Sequence, residues 1–284
     1  MKNTNTGMTQ ILIKTIVKRA LKDIKESPER NTRNLVDMAL NFSTGRFQKN
    51  FFEAAQKMLR NEQSAYYKLI QDIALTVDID KIITFGMNVG YTSCTLGAQT
   101  IRRLEQEQQF NIPWSITLIT DLQNNPDAIE TYRSVIQQGK ELGVYTWLIF
   151  SANKTQQLLP LMKENPDCGF VLFCNATELS ESLLEEANFL QNLMFSIQYE
   201  ENIANACAKL RQREMLYSLH IPYQTENAGL ITSGGLLCCA EELQPIFTFF
   251  IPASDIFYRI SPSVFCEAIT LCCYICCIQK SLRC

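Results

Sequence analysis

The sequence predicts an α/β protein in which a helical N-terminal region precedes a parallel sheet. From residue 112 onward, six apolar runs of strand length begin 24 to 29 residues apart, and a segment with helical periodicity follows each run. The runs are nearly continuous, as in YTWLIFS at 145–151 and GFVLFCN at 169–175. Continuous apolar strands suit a parallel sheet that is covered on both faces. We therefore predict six βα units, which form either a partial or closed (β/α) barrel or a doubly wound sheet.

Helical patterns fill the first 110 residues. In the segment 8–26, six apolar residues fall on one helical face: Ile13, Ile16, Val17, Ala20, Leu21 and Ile24. The lysines lie off this face, so the pattern predicts a basic amphipathic helix. Two interpretations are open for it: packing on the domain, or attachment to an anionic membrane surface or a partner groove. Further helical patterns follow Pro28 at about 31–42, 46–60 and 62–76.

The predicted strands divide the rest of the chain. They are Ile116–Thr120, Tyr145–Ser151, Phe170–Asn175, Met194–Tyr199, Leu219–Thr225 and Phe247–Pro252. We expect three regions: a helical N-terminal extension at 1–110, a (β/α) partial barrel at 111–260, and a Cys-rich C-terminal helix at 261–284.

Composition excludes several classes of protein. At 284 residues and 46% hydrophobic content, the chain can bury a sizeable core. The net charge is −3, and residues 1–34 hold eight basic and three acidic residues, so the remainder carries −8. An acidic body argues against a nucleic-acid partner. With no apolar stretch long enough for a signal peptide or a membrane span, we expect a cytoplasmic protein whose twelve cysteines are reduced.

The positions at the carboxyl ends of the predicted strands carry mild polar groups. They are Thr120, Asp121, Ser151, Asn153, Lys154, Asn175, Thr177, Gln198, Gln224, Thr225, Ser254 and Asp255. Amides and hydroxyls orient ligands well but transfer protons poorly. The single histidine, His220, falls near the start of the fifth strand, away from these ends, so we expect a buried structural residue. Cys174 has no base nearby in sequence, and we expect it in the core.

Several segments, in this order, are similar to one known family. They are DIDKIITFGMNVGYTS (78–93), NIPWSITLITD (111–121), VIQQGKELGVYTWLIFS (135–151), ENPDCGFVLFCNAT (164–177), MFSIQYEE (194–201) and LHIPYQTEN (219–227). Together they resemble a bacterial group of radical SAM proteins with a helical N-terminal extension, over roughly residues 26–255. The resemblance implies a partial (β/α)6 TIM-like barrel.

The resemblance also implies where the chemistry would lie. Members of that family hold a [4Fe–4S] cluster with three cysteines of a C-x-x-x-C-x-x-C loop after the first strand, and the open iron binds S-adenosylmethionine. Here the corresponding stretch, LQNNPDAIE at 122–130, contains no cysteine. Asn125, Pro126 and Asp127 instead predict a helix start, as N-cap, first helical residue and first-turn acid, with the helix running to Leu142 before Gly143.

The family's glycine-rich turn after the second strand corresponds to SANKT at 151–155, and it is replaced too. Ser151, Asn175 and Ser196 remain as candidate cofactor-facing residues. The resemblance therefore implies a pseudoenzyme in which the ancestral S-adenosylmethionine and [4Fe–4S] site is lost and no cofactor is expected. We predict that it acts as a binding or scaffold protein for an unidentified protein or peptide.

The tail VFCEAITLCCYICCIQKSLRC at 264–284 leaves other functions open. Cys272, Cys273, Cys276 and Cys277 have spacings compatible with zinc or an iron–sulfur cluster, although no turn residue lies among them. The alternatives are an apolar helix that covers the last strand, a metal site, or a membrane-surface or lipidated segment. One alternative function is accordingly a radical SAM-like enzyme that modifies a peptide or small molecule with non-standard cluster ligands. Another is a peripheral membrane protein, attached through residues 8–26.

Overall fold

The structure is a computed structural model, and it describes residues 3–43, 45–200, 203–224 and 228–252. Six parallel strands form one half-barrel sheet in the order β1-β2-β3-β4-β5-β6. The strands are β1 Ser115–Thr120, β2 Thr146–Ser151, β3 Gly169–Cys174, β4 Leu193–Gln198, β5 Tyr217–Tyr223 and β6 Thr248–Pro252. Each starts within two residues of its predicted position, and the predicted α/β class is confirmed.

Helices surround this sheet. Before it lie α1 Asn3–Ile24, α2 Pro28–Phe42, α3 Arg46–Met58, α4 Ala65–Thr76, α5 Ile79–Met87, a π-helix Asn88–Gly97 and α6 Ala98–Gln108. Between the strands lie α7 Ala128–Leu142, α8 Leu159–Glu164, α9 Glu181–Ala187, α10 Ile203–Gln212, α11 Ala228–Thr232 and α12 Gly235–Glu241. Short 3₁₀ turns, Thr155–Leu158 and Ala176–Glu178, follow β2 and β3. The predicted Cys-rich helix at 261–284, with Cys272, Cys273, Cys276 and Cys277, lies outside the described residues.

The outer face of the sheet packs against the helices that connect the strands. Because consecutive parallel strands are neighbours, right-handed crossovers place these helices on one face. Trp147, Phe170 and Phe195 are fully buried there, together with apolar residues of α7 to α10. Gly139 of α7 lies so close to Trp147 that a Cβ atom would be 2.6 Å from the indole ring. The largest apolar cluster of the described residues therefore forms between this face and the connecting helices.

The opposite, inner face of the sheet packs against the N-terminal helices. Ile73 and Val77, at the end of α4, and Phe85 of α5 contact a cluster that includes Val171 and Met194. This cluster covers part of the inner face only, since Ile119 of β1 is 74% exposed. The N-terminal helices are thus a second layer, on the face that the connecting helices leave free.

Polar contacts fix α5 to the sheet. Asp78 caps this helix, and its carboxylate accepts hydrogen bonds of 3.0 Å from the backbone N–H groups of Asp80 and Lys81. The buried Lys81 ammonium donates to Asn188 Oδ1 at 2.8 Å and to a backbone carbonyl at 3.2 Å. Burial lowers the pKa of Lys81, because desolvation disfavours the charged form. Lys81 therefore joins α5 to the loops that precede β4 and β5.

The π-helix lies against the start of β3. Asn88 Nδ2 donates hydrogen bonds of 2.8 Å to the carbonyl oxygens of both Pro166 and Cys168. Gly169, the first residue of β3, lies against Val89, and a Cβ atom there would be 2.6 Å from the valine methyl group. The sequence predicts a helix here but not its wider winding, which side-chain periodicity over ten residues does not distinguish.

Helix α1 packs on the domain through its predicted apolar face. Ile13, Leu21 and Ile24 are buried in a cluster with residues of α4 and α5, and Lys18 pairs with Asp80 at 2.6 Å. Ile16, which we predicted on the same face, is 36% exposed. The interpretation that α1 packs on the domain therefore holds for most of this face. The predicted burial of Ile16 was wrong, because Ile16 lies at the edge of the narrow buried face.

The turn between β1 and α7 differs from its prediction. The helix begins at Ala128 rather than at Pro126, and the N-cap position is taken by Asp127, whose side chain caps no backbone group. Asn125 N–H instead donates to the carbonyl of Asp121 at 3.1 Å. The prediction of an Asn125 cap was wrong because this residue closes the turn. At the other end, α7 ends at Leu142 before Gly143, as predicted, and Gly143 has φ 97°, the left-handed conformation common for a glycine after a helix.

Within the part of the chain that the structure describes, no helix combines the length and the apolar character that crossing a bilayer requires.

Candidate functional site

The carboxyl ends of β1 to β4 form a strand-end rim, which we define as residues 121–127, 152–155, 175–178 and 199–200. The loop after β1 is joined to the loop after β2. Asn153 Nδ2 donates to Asp121 Oδ1 at 2.8 Å, and Asn153 Oδ1 accepts from the Gln123 N–H at 2.8 Å. Asn124 also donates to the Asp121 carboxylate at 2.6 Å. These amide contacts, first from Asn153 and then from Asn124, hold the pKa of Asp121 below its usual range.

A second carboxylate joins the loops after β2 and β3. Glu178 Oε2 accepts from the Thr155 hydroxyl at 3.1 Å and from the Thr155 backbone N–H at 3.2 Å. The Thr155 hydroxyl also lies 2.8 Å from Ser151 Oγ, at the end of β2. Ser151 is therefore held in a hydrogen-bonded group within the rim.

A third carboxylate joins the loops after β3 and β4. Glu200 Oε1 accepts from the backbone N–H of Ala176 at 3.3 Å. Asp121, Glu178 and Glu200 thus each hold a neighbouring loop of the rim in place. We call these three carboxylates, together with the hydrogen bonds that they accept from neighbouring loops, the loop ties.

One rim residue has a left-handed backbone. Lys154 has φ 51°, a conformation that costs a non-glycine residue about 1–2 kcal/mol. Its ammonium lies 3.4 Å from the carbonyl oxygen of Leu122, in the loop after β1. Sequence reasoning placed Lys154 at a strand end but gave no sign of this backbone conformation.

A buried polar pair lies on the inner face, below the rim. Ser196 of β4 is fully buried, and its Oγ lies 3.3 Å from Nδ1 of His220 on β5. The imidazole ring packs edge-on against Phe173, with 5.3 Å between the centroids. Burial lowers the pKa of His220 to about 4, so the ring is neutral near pH 7.

His220 differs in position from its prediction. It is the fourth of seven residues in β5 and lies level with Gln198, the last residue of β4, rather than near the start of its strand. Its predicted burial is confirmed, since it is 6% exposed. The contact with Ser196 could not be predicted, because it depends on the register between β4 and β5. Since both groups are buried, the pair is not open to a substrate.

The three candidate cofactor-facing residues do not lie together. Ser151 is held by Thr155, and its strand neighbour on the same face, Ile149, belongs to the outer-face cluster. Asn175 is exposed above β3, and Ser196 is buried on the inner face of β4. Sequence reasoning missed Glu178, which lies three residues beyond the predicted strand Phe170–Asn175, and it missed Glu200, although Glu200 directly follows the predicted strand Met194–Tyr199. The available signal was a carboxylate within three residues of the end of a predicted strand.

The loop after β1 does not fit an iron–sulfur cluster. A cluster needs thiolates, and this loop offers carboxylate and amide oxygens that are already hydrogen-bonded. Cys174, at the end of β3, is buried as predicted, and burial raises the pKa of its thiol. No group of three or more metal-binding side chains occurs among the described residues. We therefore derive no chemical step through a cluster at this loop.

The fold and the rim define the class of this chain: an α/β protein with a six-stranded parallel half-barrel sheet and a polar strand-end rim. Comparisons with protein-family models, with curated proteins and with solved structures gave no match to it.

Proposed function

We propose that this chain is a binding or scaffold protein that engages a protein or peptide partner at its strand-end rim. In this proposal the sheet is part of a (β/α)6 TIM-like barrel of radical SAM-like ancestry, and the cluster and S-adenosylmethionine site has been lost. The partner is held by a preformed surface. Parallel sheets of this kind place their binding sites at the carboxyl ends of the strands.

The observation that carries the proposal is the set of loop ties. Asp121, Glu178 and Glu200 each accept hydrogen bonds from a neighbouring loop. Ties of this kind fix the loops in one arrangement and reduce the entropy lost on binding. The exposed amides Gln123 and Asn175 then remain to contact a partner.

A selection experiment tests binding at the rim. A random peptide library is displayed on phage and selected against the wild-type protein, with counter-selection against the double variant Gln123→Arg/Asn175→Arg. We expect enriched peptides whose binding falls at least about tenfold in this variant, because two bulky cations then cover the rim. The matched control is Gln108→Arg, on the exposed end of α6. Peptides that bind the double variant as well as the wild type would exclude the rim.

Iron analysis tests the loss of the cluster and the alternative enzyme function. The full chain is purified without oxygen and incubated with ferrous iron and sulfide, and protein-bound iron and the ultraviolet–visible spectrum are then measured. We expect no retained iron after desalting, because the loop after β1 supplies no thiolate. A cluster that is reduced and cleaves S-adenosylmethionine would instead establish the enzyme, with ligands from elsewhere in the chain, such as Cys272, Cys273, Cys276 and Cys277.

A second candidate function, attachment to an anionic membrane surface, is favoured by one observation on α1. Its buried face packs on the domain, but Ile11 and Leu12 are 67% and 52% exposed away from this face, and Ile16 at its edge is 36% exposed. The Arg19 side chain is 87% exposed, and Lys22 is exposed as well. Apolar side chains beside cations match a surface of anionic lipids.

Vesicle sedimentation tests this candidate. We expect the wild type to sediment with phosphatidylserine-containing vesicles at low salt and not with phosphatidylcholine alone, since the attraction is partly electrostatic. Leu12→Ser/Ile16→Ser should weaken binding at least about tenfold, because less apolar area is buried. Phe51→Ser, on the exposed part of α3, is the control. Equal sedimentation of the two variants would contradict the candidate.

A further inference from the structure

The open edge of β1 has the features of a strand that pairs with another strand. Among the described residues, β1 pairs with β2 only, so its other edge carries backbone groups without a ladder partner. Native edge strands are protected by charged side chains, prolines or bulges. Here no charged residue occurs from 111 to 120, and Pro113 lies before the strand rather than in it. Charged side chains and prolines therefore do not protect this edge.

Exposed apolar side chains are concentrated in β1 and in the residues just before it. Ile119 of β1 is 74% exposed, and Trp114 and Phe110, just before the strand, are 51% and 49% exposed. Three large exposed apolar side chains thus occur within ten residues of chain. A partner strand that paired here could bury apolar area of these side chains, which is favourable in water.

We propose that β1 pairs antiparallel with β1 of a second copy of this chain, about a two-fold axis perpendicular to the sheet. A two-fold axis brings a surface against itself, so an uncharged strand meets its copy without repulsion between like charges. This interface is separate from the strand-end rim and does not rest on the function proposed for it.

The geometry of such a pair limits its register. Opposed residues of an antiparallel pair point to the same face, so the axis must pass beside a residue. Pairing over most of the strand places it at one of the two central residues, Thr117 or Leu118. Ile119 then lies opposite Ser115 in the first register and opposite Thr117 in the second. In both registers, the exposed isoleucine is covered by the partner strand on the inner face.

The area of the interface sets the expected strength of the dimer. A strand of six residues is about 20 Å long. With Trp114 and Phe110 it buries less than the roughly 800 Å² per partner of a standard stable interface. We therefore expect a weak dimer that dissociates on dilution, with a dissociation constant of about 1 μM or higher.

Sedimentation velocity of the full-length protein over a range of concentrations tests the proposal. We expect the sedimentation coefficient of the wild type to rise from the monomer value towards that of a dimer. Thr117→Lys/Ile119→Lys places two lysines opposite each other in either register, so the dissociation constant should rise at least about tenfold. The single variant Ile119→Lys tests the same edge without altering the half-buried Thr117.

The matched control is Phe189→Lys/Leu230→Lys, which adds the same charge at exposed positions outside β1. This variant should associate like the wild type. Circular dichroism shows whether each variant is folded, and amide exchange should show slower exchange in β1 at high concentration. A wild type that stays monomeric at every concentration would overturn the proposal. A dimer that survives Ile119→Lys and the double variant would overturn it as well.

Discussion

The buried imidazole of His220 makes the folding stability of the protein depend on pH. The folded-state pKa is about 4, whereas an unfolded histidine titrates near 6.5. Between these values the unfolded chain binds a proton that the folded chain does not bind. The sign follows from linkage: stability is retained above about pH 6.5 and is lost as the pH falls towards 4.

We predict that protonation of His220 in the unfolded state removes about 3 kcal/mol of unfolding free energy between pH 6.5 and pH 4. His220→Gln, which cannot titrate, should show a shallower acid limb in urea denaturation. Because the chain has a single histidine, its imidazole signals in NMR report this pKa directly. An imidazole that titrates near 6.5 in the folded protein would contradict the prediction.

At the scale of single residues, the sequence predicts which side chains are buried better than it predicts which side chains contact each other. His220 and Cys174 are buried as predicted, because each lies in an apolar run that forms a strand of the covered sheet. The contacts of Ser196 with His220 and of Asp121 with Asn153 could not be predicted. Each joins residues from different βα units, and strand register decides which side chains meet.

At the scale of elements, the contact between α7 and β2 leaves no room for a Cβ atom at Gly139. Gly139 lets the helix approach Trp147, which is fully buried. Adding a Cβ atom requires the indole or the helix to move, and overpacking of this kind costs about 1–3 kcal/mol.

We predict that Gly139→Ala destabilises the protein by about 1–3 kcal/mol, measured as the unfolding free energy in urea. Gly86→Ala is the matched control, since Gly86 lies in α5 and nothing is within 4 Å of the position of its Cβ atom. That variant should be more stable by about 0.5–1 kcal/mol, because alanine favours a helix over glycine. Equal unfolding free energies of the two variants would contradict the prediction, because they would show that α7 and Trp147 accommodate a Cβ atom without loss of stability.

Elements differ in how well their patterns predict them. Strands in a covered parallel sheet are continuous apolar runs, so β3, which is buried throughout, was placed within one residue. The start of α7 was placed wrongly, because Asn125 and Asp127 are as common in turns as in helix caps. The face of α1 was predicted except at Ile16, since the angular width of an apolar stripe is not set by its spacing alone.

At the scale of the whole molecule, two layers share one sheet. The connecting helices cover its outer face, and α4 and α5 cover part of its inner face. The sequence predicted a helical region before the strands but not that α4 and α5 pack on the inner face. The periodicity of a helix shows which of its faces is apolar but not which surface that face contacts. The packing of α4 and α5 on the inner face could therefore not be predicted from the sequence.

The strand order has a consequence for the synthesis of the chain. Paired residues of neighbouring strands are 22 to 31 positions apart, so the sheet can extend one strand at a time as the chain leaves the ribosome. Helices α4 and α5 are synthesised before any strand of the sheet. Their apolar partners Val171, Met194 and Phe249 emerge only later, with β3, β4 and β6. A nascent chain that stalls before β3 therefore presents uncovered helices, which is the kind of surface that chaperones bind.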